Sequence, residues 1–256
     1  MIRPEELFNV QGKRAIVTGA SRGLGAAAAE ALAAAGVDLA LVGRDRATLE
    51  ERAESLSGYG VALHPIRCDV SRPKLITTAI SRAQRLLGGI DILINNAGMI
   101  TRSPAADYPV EDWQQVIDTN LTGLFLFAQG VGRIMIEQGS GKIINIASLL
   151  SFSGGKFVPA YTASKHGVAG VTKALANEWA QHGVNVNAIA PGYFVTDATE
   201  AIRKDRKRKK ELTARIPAGR WGDGGDLAGP ILFLSSAASD YVHGHIMLVD
   251  GGFEAA

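Results

Sequence analysis

"KRAIVTGASRGLGAAAAEALAAAG", residues 13–36, decides the fold. A short apolar run leads into closely spaced glycines, and an alanine-rich run follows until Gly36 stops it. Residues 13–19 read as a strand and 24–36 as a helix. The loop between them, residues 18–25, has the chemistry of an anion cradle. Gly19 allows the tight turn, Gly23 lets a phosphate approach the backbone, and Gly25 lets the helix pack close to the sheet. Ser21, Arg22 and Leu24 complete the loop, and the start of the helix presents free N–H groups to the anion. The spacing is G-x-x-x-G-x-G, not G-x-G-x-x-G, and taken alone such glycines also serve as plain strand-to-helix turns.

Outward from this unit the same alternation continues. Strands are expected in 37–43, 61–70, 90–98, 141–148, 184–192 and 245–252. Helices are expected in 46–56, 73–87, 111–137, 161–180 and, despite Pro230, 226–236. Strands alternating with helices imply right-handed crossovers. The expected fold is α/β: a single Rossmann-type, doubly wound domain over residues 1–256, with a seven-stranded, mostly parallel sheet and helices on both faces. Ligands then bind beyond the carboxyl ends of the strands. No internal repeat or linker composition divides the chain.

Composition narrows the function. Lys and Arg total 27 against 25 Asp and Glu, for a net charge of +2. There is no global attraction to nucleic acid or an anionic membrane. One cysteine, Cys68, excludes an internal disulfide and fits a reducing compartment. The N-terminal stretch is charged, and no apolar run is long enough to span a bilayer. A cytoplasmic enzyme with a small-molecule substrate is expected, with no metal.

The end of the second strand, "LVGRDR", bears on the cofactor. Arg44 comes first there. An arginine pairs with a ribose 2′-phosphate, which a carboxylate repels. Arg22 adds a second positive charge. NADP(H) is therefore favoured over NAD(H), against the alternative that Arg44 and Arg46 are solvated surface charges. Asp69, which ends the third strand beside Val70, is either an adenine ligand or a turn-forming aspartate.

"TGASRGLG" (18–25), "NNAG" (95–98), Ser148, and Tyr161 followed four residues later by Lys165 occur in order along one chain. In this the sequence resembles the short-chain dehydrogenases/reductases over nearly its whole length. The resemblance implies that Tyr161 is the catalytic acid/base, that Lys165 supports it, and that Ser148 holds the substrate oxygen. It also implies that Asn120, in "DTNLTG", supports a water relay. Asn96, Ala97 and Gly98 would line the cofactor, and Pro191, Gly192 and Thr196 would contact its nicotinamide end. The segment at about 195–215 would cap the substrate, and a homotetramer is implied.

Physical chemistry explains the Tyr161–Lys165 pair. Hydride transfer between a carbinol and a nicotinamide needs a group that moves one proton. A free tyrosine has a pKa of about 10. An ammonium one helical turn away on the same face favours the phenolate and is expected to lower it.

"AYTASK" (160–165), "NEWA" (177–180), "VNVNAIAPGY" (184–193), "RIPAGRWG" (215–222) and "ASDYV" (238–242) resemble a narrower group, the bacterial dehydrogenases of sugar acids. That likeness implies a gluconate or 3-deoxy-2-ketogluconate type of substrate. The alternatives are a 3-oxoacyl thioester reductase and a non-catalytic nucleotide-binding regulator. The run "RKDRKRKK" (203–210) holds seven basic residues and one acid. It is a cationic cap over an acidic substrate or a solvated helix face; a third alternative, nucleic-acid binding, is disfavoured by the lack of interleaved aromatics and the near-balanced charge.

Overall fold

The computed structural model describes residues 3–256. Met1 and Ile2, which open the charged N-terminal stretch and the domain expected over 1–256, lie outside the described residues. The chain runs α1 (Pro4–Leu7), β1 (Arg14–Thr18), α2 (Gly23–Ala34), β2 (Asp38–Gly43), α3 (Arg46–Leu56), β3 (Leu63–Arg67), α4 (Pro73–Leu87) and β4 (Ile92–Asn95). It continues through α5 (Val110–Ile117), α6 (Gly123–Gln138), β5 (Gly141–Ile146), α7 (Pro159–Trp179), β6 (Val184–Pro191), α8 (Glu200–Lys204), α9 (Arg206–Ala214), α10 (Ala228–Ser235) and β7 (Ile246–Val249).

The sheet has the order β3-β2-β1-β4-β5-β6-β7, and every pairing is parallel. The order reverses direction between β1 and β4, the position at which such sheets open a crevice. Alternate residues of each strand feed opposite faces. Val17, Leu41, Ile94 and Ile144 pack under α2, α3 and α10 with Leu32, Leu49 and Ile231. Ile16, Val42, Leu93 and Ile143 pack under α4, α6 and α7 with Ile76, Phe127 and Trp179. Phe127 is fully buried there, and its truncation to alanine would cost about 3–5 kcal/mol.

Two local features differ from a simple reading of the periodicity. Pro230 is the third residue of α10, where a helix does not use the N–H that proline lacks. The stretch 111–137 is not one helix. A π-turn spans Asp118–Thr122 between α5 and α6, with the Gly123 N–H reaching back five residues to the Asp118 carbonyl. Gly123 lies against the Val70 carbonyl so closely that a Cβ would collide with it. The extra residue in the turn leaves the apolar stripe almost unbroken, so periodicity does not register it.

Candidate active site

β1 and β4 meet the cleft as one hydrogen-bonded unit. The buried Thr18 hydroxyl accepts the N–H groups of Asn96 (2.9 Å) and Ala97 (3.0 Å). The Asn96 amide donates to the carbonyls of Thr18 (3.0 Å) and Gly19 (3.3 Å). Gly19 has φ +65°, and a Cβ there would stand 2.8 Å from the Asn96 amide nitrogen. At Gly25 a Cβ would run into the Gly19 carbonyl itself. Gly25 therefore holds α2 against the two loops from behind the cleft wall.

Gly23 opens α2 on the other side. No side chain caps this helix, and the nearest atom to a Cβ built on Gly23 is 3.8 Å away, on Thr196. A free helix N-terminus facing open space fits the diphosphate of a dinucleotide.

A cleft of about 1780 Å³ runs along the carboxyl ends of the strands. The site residues expected from the sequence line it, with the exceptions of Gly25 and Asn120. Ser21, Leu24, Val70, Ala97, Gly98, Pro191 and Gly192 are all at its wall. At one end Arg44 is exposed, and its charge acts on Asp69. Burial alone would raise the Asp69 carboxyl pKa. Hydrogen bonds from the Ser71 hydroxyl (2.7 Å) and N–H (3.0 Å), with Arg44 and Arg72 nearby, outweigh it and hold the pKa below the ordinary range. Asp69 is thus a turn-forming residue that also faces the cleft. Asp45 turns away to cap α3, accepting from the Thr48 N–H at 3.0 Å. Arg22 lies 3.7 Å from Asp197, and both are well exposed.

At the other end α7 carries Tyr161 and Lys165, and Ser148 follows β5. Ser148 Oγ accepts from the Leu150 N–H (3.2 Å), and its hydroxyl faces the Tyr161 phenol closely enough to lower the phenol's pKa. The buried Lys165 donates from Nζ to the Ile146 carbonyl at 2.6 Å. It stands over the Tyr161 ring, 5.6 Å from the centroid. The balance at Tyr161 accordingly differs from the expected one. Burial pushes its pKa up, and the Ser148 hydroxyl and the charge of Arg102 pull it only partly back. Burial also lowers Lys165 from 10.5 to about 8, which weakens it as a fixed charge.

Asn120 sits in the π-turn, fully buried behind the cleft. Its amide oxygen accepts from the Met99 N–H (2.8 Å), and its nitrogen donates to the Met99 carbonyl (2.8 Å) and Ser164 Oγ (3.2 Å). The side chain is thereby spent on fixing the turn after Gly98.

Arg102 and Thr18 are the residues that sequence reasoning missed. Arg102 lines the cleft and acts on Tyr161. It is the one basic residue between Arg85 and Arg133, but its isolation alone does not say that it meets the phenol. The run 203–210 spans the end of α8 and the first five residues of α9. Of its bases only Arg208 lines the cleft, while Arg203 donates to the Thr196 carbonyl at 3.2 Å and the others are exposed. Lys156 and Arg215, outside the run, add positive charge to the same end of the cleft.

Known proteins share this arrangement. Residues 19–254 match the family model described as enoyl-(acyl carrier protein) reductase. A 2-dehydro-3-deoxy-D-gluconate 5-dehydrogenase of Bacillus subtilis is 50% identical over 251 residues, covering 97% of both chains. Gluconate 5-dehydrogenase of Gluconobacter oxydans is 40% identical over 96% of both. The crystal structure of a gluconate 5-dehydrogenase from Burkholderia cenocepacia, in complex with NADP and tartrate, superposes with a TM-score of 0.96 at 38% identity, covering 99% of this chain and 100% of that one. With the glycine loop, the parallel sheet and the Ser148–Tyr161–Lys165 cleft in one place, these matches make the chain a member of the short-chain dehydrogenase/reductase family, the NAD(P)-dependent oxidoreductases.

Proposed function

We propose that this enzyme transfers a hydride between NADP(H) and a carbonyl or secondary alcohol of a sugar acid of the gluconate or 3-deoxy-2-ketogluconate type. The observation that carries the reading is a set of cations on the wall of the cleft that holds the reacting phenol: Arg102, whose charge acts on Tyr161, with Lys156, Arg208 and Arg215, set against the carboxylates of Asp205 and Glu211. A carboxylate substrate is drawn to these cations, and Arg102 is the side chain to anchor it. A charge-assisted hydrogen bond of this kind contributes about 1.5–3 kcal/mol, or roughly tenfold to a hundredfold in affinity. The sugar-acid dehydrogenases among the relatives support the same substrate class.

The cofactor would be held by the N-terminus of α2, by Asp69 and the Asn96–Gly98 turn, and by Arg44 with Arg22 at a 2′-phosphate, and it supplies or accepts the hydride. NADP in the structure of the Burkholderia relative supports that choice. In reduction the Tyr161 hydroxyl gives its proton to the substrate oxygen as the carbonyl becomes an alcohol. In oxidation the phenolate takes that proton back. Ser148 donates a hydrogen bond to the same oxygen, where negative charge develops. Lys165, low in pKa and close to the phenol ring, biases the proton inventory of the site and is placed to hold ribose hydroxyls.

We further propose a cytoplasmic homotetramer in which the segment 195–215 caps the substrate. Half-buried Phe125 and Leu126 on α6 and Val171 on α7 support one helical interface. Tyr241 and Leu248 beside the edge strand β7, exposed by 100% and 40%, support a second.

The description of the matching family model favours a second reading, thioester reduction. Nicotinamide absorbance separates the two. Turnover of D-gluconate or 3-deoxy-2-ketogluconate, with none of acetoacetyl or enoyl thioesters, is expected. Thioester turnover without sugar-acid turnover would replace the proposal.

A further inference from the structure

Phe157 has φ +66° and is the one non-glycine residue with positive φ among the described residues. A bulky side chain rarely adopts this conformation. Burial of the ring does not impose it, because Phe157 is 59% exposed at the rim of the cleft. Such strain gathers where a functional site needs a particular backbone direction.

The backbone around Phe157 suggests what is being directed. Its carbonyl accepts the N–H of Ser103 at 3.0 Å, next in sequence to Arg102. Two residues earlier, the Gly155 N–H donates to Thr162 Oγ1 at 3.3 Å, next in sequence to Tyr161. Gly155 fits tightly there, since a Cβ would meet Val158 at 2.5 Å and Leu150 at 2.7 Å. The segment is thus tied at one end to the helix of the reacting phenol and at the other to the loop of the neighbouring cation. Among the described residues, the other hydrogen bonds made by 101–103 stay within the loop, to Asp107 and Tyr108. Asn120 links the start of this loop, at Met99, to Ser164 on the catalytic helix, and the Phe157 carbonyl is the tie at Arg102 itself.

We propose that Phe157 is a positioning residue: its left-handed backbone aims the carbonyl that holds the Arg102 loop beside Tyr161. The inference rests on the reading of Arg102 as the carboxylate anchor. Were Phe157 to relax to an ordinary conformation, the carbonyl would swing from Ser103 and Arg102 would lose its register with the phenol. The backbone is the acting part, and the ring is not.

Two substitutions separate backbone from ring. Phe157→Gly removes the ring and keeps positive φ without steric cost. Phe157→Val disfavours positive φ while leaving an apolar side chain. KM for D-gluconate, or for 3-deoxy-2-ketogluconate where that is the faster substrate, is measured with KM for NADP(H) and the pH profile of kcat/KM. Phe157→Val should raise the sugar-acid KM by about tenfold, the loss of one hydrogen bond's worth of placement. It should leave KM for NADP(H) within about twofold. Because these hydroxy acids are oxidised with Tyr161 as the phenolate base, it should also move the acidic limb of the profile to higher pH, since a displaced Arg102 no longer favours the phenolate. Phe157→Gly should retain the wild-type values. Equal damage from both substitutions would assign the effect to the ring, and no damage from Phe157→Val would make the tie irrelevant. Either result overturns the inference. If Phe157→Val does not fold, Phe157→Ala, also strained at positive φ, takes its place. Arg102→Met is measured alongside. An unchanged sugar-acid KM in Arg102→Met refutes the anchor itself, whereas a raised one beside a silent Phe157→Val refutes only the positioning by Phe157.

Discussion

Lys165 is an ammonium with little water around it, 4% exposed and bonded to the Ile146 carbonyl. Burial lowers its pKa from 10.5 to about 8. Below pH 8 the lysine is protonated in both folded and unfolded chains, and the folded state bears the full cost of the buried charge. Between about 8 and 10.5 the unfolded chain binds more protons, so this residue makes stability rise with pH. Above 10.5 the contribution is gone. The interval corresponds to about 3 kcal/mol. In urea unfolding of the cofactor-free protein, the stability of wild type relative to Lys165→Met should therefore increase from pH 7 to 10.5 by an amount of this order. A difference that stays flat would mean that Lys165 is not desolvated. At Tyr161 the signs are reversed, and burial holds the proton on the phenol. The protein by itself therefore favours the proton-donating form of Tyr161, and the charge of Arg102 opposes it.

At the scale of elements, the carboxyl ends of the strands place the chemistry. β1 and β4 hold the glycine loop, β2 presents Arg44, and β5 with α7 presents Ser148, Tyr161 and Lys165. The loop after β2 yields a sharp prediction because the roles of its two charged residues are divided. Asp45 is occupied as the cap of α3, and Arg44 faces the cleft near Asp69. Arg44→Asp should lower kcat/KM for NADP(H) by about tenfold to a hundredfold and raise it for NAD(H). A carboxylate accepts from both ribose hydroxyls but repels a phosphate. Equal weakening of both cofactors would leave Arg44 a surface charge. The strands, the helices and the glycine loop were legible because each obeys local rules: apolar runs, alanine-rich periodicity, and glycines at a turn. The π-turn at Asp118–Thr122 was not, because one extra residue hardly disturbs an apolar stripe. Arg102 was not, because nothing local distinguishes a loop arginine that the fold brings to the phenol. The basic run 203–210 was legible as charge but not as direction, since only the folded chain shows that Arg208 alone of its bases reaches the cleft wall.

At the scale of the whole molecule, two surfaces remain unfinished in a single chain. One lies along α6 and α7, and the other at the β7 edge, where Leu248 is exposed beside unpaired backbone. Light scattering should give about four times the 26.9 kDa of one chain. A monomer at assay concentration would contradict the homotetramer. In the proposed reaction Ser148 and Tyr161, both at the cleft wall, meet one oxygen atom of the substrate, and Tyr161 moves the proton there. The most direct measurement is the turnover of the sugar acid with NADP(H) by Tyr161→Phe, with NADP(H) affinity measured on the same sample. A loss of about a hundredfold to ten-thousandfold in kcat is expected, with cofactor affinity unchanged. Wild-type turnover by Tyr161→Phe would contradict it.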